Sequence, residues 1–462
     1  MPQLGLPLGT QRDTYGDTPS LPLKNLFVTQ GETEPSGIKL LGRPPLRYVS
    51  TTEISASASN AIYQQDGVND DNRVAVFGSE IWPFDLGSSA GTLGGALVPS
   101  IAGNSIGVVL AAGVEARFWD GSTLQTISFP DSASVTKVVE TQHRFVFLRA
   151  DTHRYYWTLP GDNMLTAGNI AINGADYASA ESEPDRALDI LVYKDHLVIF
   201  GSESTEMHGV TGDDNLPWSR TVGSTIDEGI IATGCAALWN NTFVWVAQDY
   251  SVYRFNGVGK ERISNQGIEQ VLRSNGVLRV DSFDFEGHEF LRIWVGNDQP
   301  DLLLDAQSGQ WCEWSTNGGA FRGGPMLEFS DYLVFYDKTI GKQLHLSTVK
   351  NFAQGALESE VDYLFRAGIP IDGGEVTIDN ILLRCQTDLS TATINLKTSN
   401  DKGSTWTDEG DVALSGTRDL VEWRAMGMFD QPGFLAEFAT DGATEFAVSG
   451  AYFNEFVMGR SR

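Results

Sequence analysis

Cysteine is scarce, with three residues in 462, Cys235, Cys312 and Cys385, far apart along the chain. Such spacing excludes a close-set zinc motif and leaves an odd thiol in any disulfide scheme, so reduced, buried thiols made in a cytoplasm are expected. Long apolar runs are missing as well. The longest, from Ile106 to Val114, ends at Glu115, far short of a bilayer's thickness. No basic segment followed by an apolar core opens the chain, so a soluble protein without export signal or membrane insertion is expected. Basic residues are few, 32 against 60 acidic ones, for a formal charge of −28. That balance repels nucleic acid and anionic membranes wherever recognition is non-specific.

Catalytic signatures are absent too. There is no HExxH, no GxxxxGK[ST], no GxSxG and no EF-hand loop. Gly257-Val258-Gly259-Lys260 lacks both the upstream glycine and the following Ser or Thr of a phosphate loop, and reads as a hairpin turn. The six histidines, His143, His153, His196, His208, His288 and His345, have no partner at metal-ligand spacing,. No cofactor, metal or catalytic residue is therefore expected. Ser399-Asn400-Asp401-Lys402-Gly403-Ser404-Thr405-Trp406 fits the SxDxGxTW Asp-box, which keeps a carbohydrate-binding or sialidase-like propeller as the alternative reading. A sialidase-like site also needs clustered arginines to hold a carboxylate, and none is evident, so the box reads as a hairpin device. Asp305 to Trp311 gives a similar turn signal.

What the chain does have is glycine, 49 residues of it, with 41% hydrophobic and 10% aromatic residues. Many short strands joined by turns follow, and the fold class is all-β. Leu188 to Tyr193 and His196 to Phe200 read as strands around the polar Lys194-Asp195, and Ser204 to Val210 as a third. The same strand, turn, strand shape recurs at Arg73 to Phe84, Gly107 to Trp119, His143 to Trp157, Thr242 to Phe255, His288 to Leu304 and Tyr332 to Leu346. Its spacing of about 35 to 50 residues is that of propeller blades. Two copies share more than shape: Phe118-Trp119-Asp120-Gly121 leads to Ile127-Ser128 as Arg254-Phe255-Asn256-Gly257 leads to Ile263-Ser264.

Residues 1–45 are rich in proline and glycine and show no sustained period, so an extended N-terminal arm, ordered by neighbouring subunits, is expected. Residues 46–350 form β-propeller-like repeats of about six or seven blades. Ile268, Val271 and Leu272 at i, i+3 and i+4 place a short helix within 264–276, capped by Ser264 or Asn265 and closed by Gly276. Residues 356–462 alternate clearly and read as a C-terminal antiparallel β-sandwich.

From Ala180 to Gly323 a series of stretches resembles the tail hub or nozzle proteins of short-tailed bacteriophages, the packaged DNA stabilisation proteins. They are Ala180 to Asp185, Gly201-Ser202 with Ser204-Thr205-Glu206, Glu228-Gly229-Ile230 leading to Gly234-Cys235, and Ile268 to Ser274 with Glu269 and Arg273. Phe285 with His288, Glu289 and Leu291, then Gln310-Trp311-Cys312, and Phe321-Arg322-Gly323 complete the series. The resemblance implies a structural virion protein and no enzyme. It implies a hexameric ring below the head-to-tail adaptor, continuing the DNA channel, retaining packaged DNA and anchoring tail fibres or tailspikes and a needle or tip protein. Double-stranded DNA would pass without specific binding, and the acidic balance suits such a wall. Asp70, Asp71, Asp213 and Asp214 are the candidates for channel lining.

Overall fold

The computed structural model describes residues 3–4, 22–31, 37–50, 52–65, 73–160, 170–180, 185–329, 332–347, 357–370, 376–387, 392–414, 419–429, 433–443 and 445–457. Asp70, Asp71, residues 181–184 and the domain boundary expected near Gly355 lie outside them.

Seven units, each built on a four-stranded meander, follow one another among the described residues, and Ile170–Ala171 adds a fifth, parallel strand to the second. Blade 1 begins at Ser59–Gln64, blade 2 at Ser100–Asn104, blade 3 at Val135–Thr141 and blade 4 at Ala187–Tyr193. Blade 5 begins at Ala236–Trp239, blade 6 at Val277–Phe285 and blade 7 at Gly323–Phe329. The first strands of blades 1 to 6 pack successively beside one another, and that of blade 7 packs beside that of blade 1, as in a β-propeller. Each blade is an antiparallel meander, so all seven first strands run the same way.

The second strands, such as Gly107–Ala111, Arg144–Arg149 and Thr242–Val246, are apolar almost throughout and buried on both faces. A blade is flanked by two others, so alternation gives way to continuous hydrophobic runs. The expected helix runs from Gln266 to Asn275 between blades 5 and 6. Asn265 accepts from the Ile268 amide at 3.0 Å, Gly276 at φ 82 closes the helix, and Ile268, Val271 and Leu272 are buried.

Blade 7 takes its outermost strand from the start of the chain: Leu46–Tyr48 pairs antiparallel with Gln343–Leu346. This borrowed strand closes the propeller. Upstream of it, the segment expected as an arm is extended, but its described partners lie in its own chain. Leu26–Gln30 and Ile38–Gly42 join one sandwich sheet with Phe446–Val457, Val376–Thr387 and Asp419–Phe429. Leu23–Lys24 lies parallel to Trp311–Thr316 of blade 6 and antiparallel to Val361–Pro370 of the sandwich, making one ten-stranded sheet of both. Leu23, Leu26, Phe27 and Leu40 are buried in the sandwich core. The expectation that neighbouring subunits order this segment is thus corrected for residues 23–31 and 37–45: their apolar face is completed by strands from the far end of the chain, which local composition does not reveal.

The sandwich strands expected from alternation are present. Two others were not legible: Thr407–Ala413, an exposed acidic edge strand without apolar alternation, and Phe446–Val457.

Candidate functional site

The first strands of blades 1 to 6 enclose an axial cavity of about 510 Å³. Its charged and polar walls fall into two levels. Lys137 and Arg279 in the wall, and Asp189 buried behind it, are each the third residue of their strands, and Ser100 stands beside Val138, accepting from its amide. Tyr63, Gly103 and Glu140 stand near the strand ends, toward the opposite mouth.

Asp189 is fully buried within an otherwise apolar run. It forms an ion pair with Lys137 and accepts from the amides of Ile190 at 2.7 Å and Gly234 at 2.8 Å. It thereby ties blades 3, 4 and 5 together at the axis. At the other mouth Tyr63 crosses the backbone of Gly103, where an added Cβ would stand 2.6 Å from its ring. Burial, followed by the field of Glu140, raises the Tyr63 phenol, and burial raises the Glu140 carboxyl.

Arg279 bridges blade 6 to blade 1, donating to the Asn60 carbonyl at 3.0 Å. Behind it Arg292, fully buried, takes both oxygens of Asp281 at 2.7 Å and donates to the carbonyls of Gly323 and Gly324. Lys338 holds Asp301 at 2.7 and 3.0 Å and lies 4.1 Å from the centre of the Trp294 ring. Burial lowers the Arg279 guanidinium and the Lys338 ammonium and raises the Asp301 carboxyl. This network joins blade 6 to blade 7.

The stretches that carry the resemblance meet mostly at seams, and of them Gly234 also lines the cavity. Asp185 accepts from the amides of Glu203 and Ser204, Thr205 donates to the Glu228 carbonyl at 2.8 Å, and the Ile230 amide donates to Gly201. Gly229 lies so close to Ser202 that a Cβ would come within 2.3 Å of its backbone. The matched residues from Asp185 to Ile230 in this sense form the seam between blades 4 and 5.

The remaining matched residues extend the seam. Glu269 is buried and binds Arg262 and Ser264, and Arg273 donates to the Asp249 carbonyl at 2.9 Å. His288 meets Asp305 at 3.0 Å and packs edge-on to Phe27, whose ring centroid is 5.1 Å away. Glu289 accepts from the Asn240 amide, the Trp311 indole donates to the Ile263 carbonyl, Cys312 is buried, and Arg322 grips Asp337 at 2.6 and 3.1 Å. Asp213 and Asp214 stand elsewhere, at the outer hairpin of blade 4, where Asp214 is exposed and pairs with Arg144. They do not line the axial cavity. Sequence reasoning missed Lys137, Asp189 and Arg279; Asp189, a lone charge in an otherwise apolar strand, carried a signal of an inward-facing ion, whereas Lys137 and Arg279 lie in strands with other polar residues.

In the Asp-box, the Asp401 carboxylate accepts from the Thr405 amide at 2.7 Å and from its hydroxyl at 2.6 Å. Gly403 takes φ 87, and the Trp406 indole donates to its carbonyl at 2.9 Å. The box is a self-contained turn. Asp305 builds a comparable one, accepting from Gln307 and Ser308. Among the described residues no group of three or more His, Cys, Asp or Glu side chains could hold a metal ion.

A family model described as bacteriophage P22 Gp10, β-propeller, matches residues 76–318, more than half of the chain. The tail hub protein gp10 of Salmonella phage P22 is 26% identical over 180 residues, which cover 35% of this chain and 37% of that protein. Among solved structures, a computationally designed protein, Ika8, is 14% identical at a TM-score of 0.40, covering 74% of this chain and all of its own. BamB from Moraxella catarrhalis is 10% identical at a TM-score of 0.37, covering 66% of this chain and 99% of its own. Neither structural likeness bears on function.

Proposed function

The chain belongs to the bacteriophage P22 Gp10 β-propeller family, and from that premise we propose that it is a structural component of a phage tail hub. In this reading it forms a ring below the head-to-tail adaptor, lets double-stranded DNA pass without binding it specifically, and carries tail appendages. The observation that supports the reading most is where the matched stretches fall. They form seams between blades and the joint to the sandwich, as suits a part selected for rigidity. The formal charge of −28 is compatible with a wall along which phosphates slide,.

Electron microscopy of the purified protein mixed with its adaptor ring tests the proposal. Six copies seated on one face of the adaptor are expected. Bare adaptor rings at micromolar protein would overturn it.

A further inference from the structure

The level of the axial cavity that holds Arg279, its upper end, has a charge imbalance. Three cations, Arg279, Arg292 and Lys338, share two carboxylates, Asp281 and Asp301. Asp281 is saturated by Arg292, which takes both its oxygens, and by the Trp294 indole at 2.9 Å. Asp301 is taken by Lys338. Arg279 is left 3.7 Å from Asp281, with the Asn60 carbonyl as its hydrogen-bond acceptor among the described residues.

The other ionic pair at this level, Lys137 with Asp189, is balanced. Glu140 cannot supply the missing charge at close range. It stands three residues further along its strand, about 10 Å down the axis at the usual rise per residue. A guanidinium with unused donors in a walled cavity favours an anion, because the low surrounding polarity strengthens the pairing and a planar fork fits an oxyanion's two oxygens.

We propose that the upper end of the axial cavity binds one small oxyanion, of the phosphate, sulfate or carboxylate class, held by Arg279 with the Lys137 ammonium nearby. The ion would clamp blade 6 to blade 1, where Arg279 already donates to the Asn60 carbonyl. Glu140 at the other mouth keeps the anion at the arginine end. The inference does not depend on the tail hub reading, since it concerns the single chain.

The full chain is titrated with sodium phosphate, sulfate or acetate at constant ionic strength against sodium chloride, following the thermal midpoint and calorimetric heat. At least one of the three should raise the midpoint saturably, as a ligand of the native state does; which one responds identifies the oxyanion. Arg279→Gln should weaken the apparent affinity about tenfold or more, the loss expected for a charge-assisted pair. If that variant does not fold, Val98→Glu decides. Val98 lines the cavity beside Gly234, whose carbonyl accepts from the Val280 amide next to Arg279, and a carboxylate there should abolish the response. No difference from chloride with the native protein, or an undiminished response in the folded variants, would overturn the proposal.

Discussion

Arg43 and Glu358, 315 residues apart in the chain, form a buried bidentate ion pair, with nitrogen to oxygen distances of 2.7 and 2.8 Å. Glu358 also accepts from the Leu46 amide, and Arg43 donates to Asn25 and to the Ser315 carbonyl. One node therefore joins the N-terminal segment, blade 6 and the start of the sandwich. Removing one partner leaves the other charged and buried, so Arg43→Met should destabilise by about 3–5 kcal/mol. The double variant Arg43→Met with Glu358→Met should cost much less than the sum of the singles. Denaturant unfolding of all three checks this, and additive losses would refute the coupling.

Deleting residues 1–49 should prevent native folding. The deletion removes the strand that closes blade 7 and the buried Leu23, Leu26, Phe27 and Leu40, and losses of a few kcal/mol per large core side chain sum beyond ordinary domain stability,. Circular dichroism and a thermal melt decide it. A cooperative transition at the native midpoint would show that the segment is dispensable.

The Asp401 carboxyl is held at about 2, first by the Thr405 hydroxyl and then by its amide, against an ordinary value of 3.8. Because the folded value is depressed, the stabilisation is fully present above about pH 4 and is lost as pH falls towards 2. Asp401→Asn should be less stable than the native protein at pH 7, with the gap closing on acidification. A gap in the thermal midpoint that stays constant from pH 7 to 2 would sink this account.

All three cysteines are buried. Burial, followed by the charge of Asp189, pushes the Cys235 thiol up to about 12, and burial raises Cys312 well above its usual range. A thiol reagent at pH 8 should find no reactive cysteine in the native protein and three after denaturation. Rapid native labelling would contradict the packing.

Asp213→Lys with Asp214→Lys should leave stability within about 1 kcal/mol, because Asp214 is 91% exposed and the buried Arg144 keeps its bond to the Thr158 carbonyl,. Equilibrium unfolding measures it, and a larger loss would mean that the outer hairpin carries weight in the fold.

What the sequence determined by itself is the local order of the chain. Apolar second strands, the Asn-Gly and Asp-Gly turns, and the Ile268, Val271 and Leu272 face each act within a few residues, so blades, hairpins and the helix were legible. The Asp-box was legible for the same reason, since Asp401 and Thr405 bond across four residues. Tertiary structure alone decided what the chain's two ends do. Leu46–Tyr48 became the last strand of blade 7, Leu23–Lys24 joined blade 6 to the sandwich, and Lys137, Asp189 and Arg279 were brought to one level of the axis. Those pairings depend on closure of the whole ring, and no local period, turn or cap encodes which distant strand or charge completes a site.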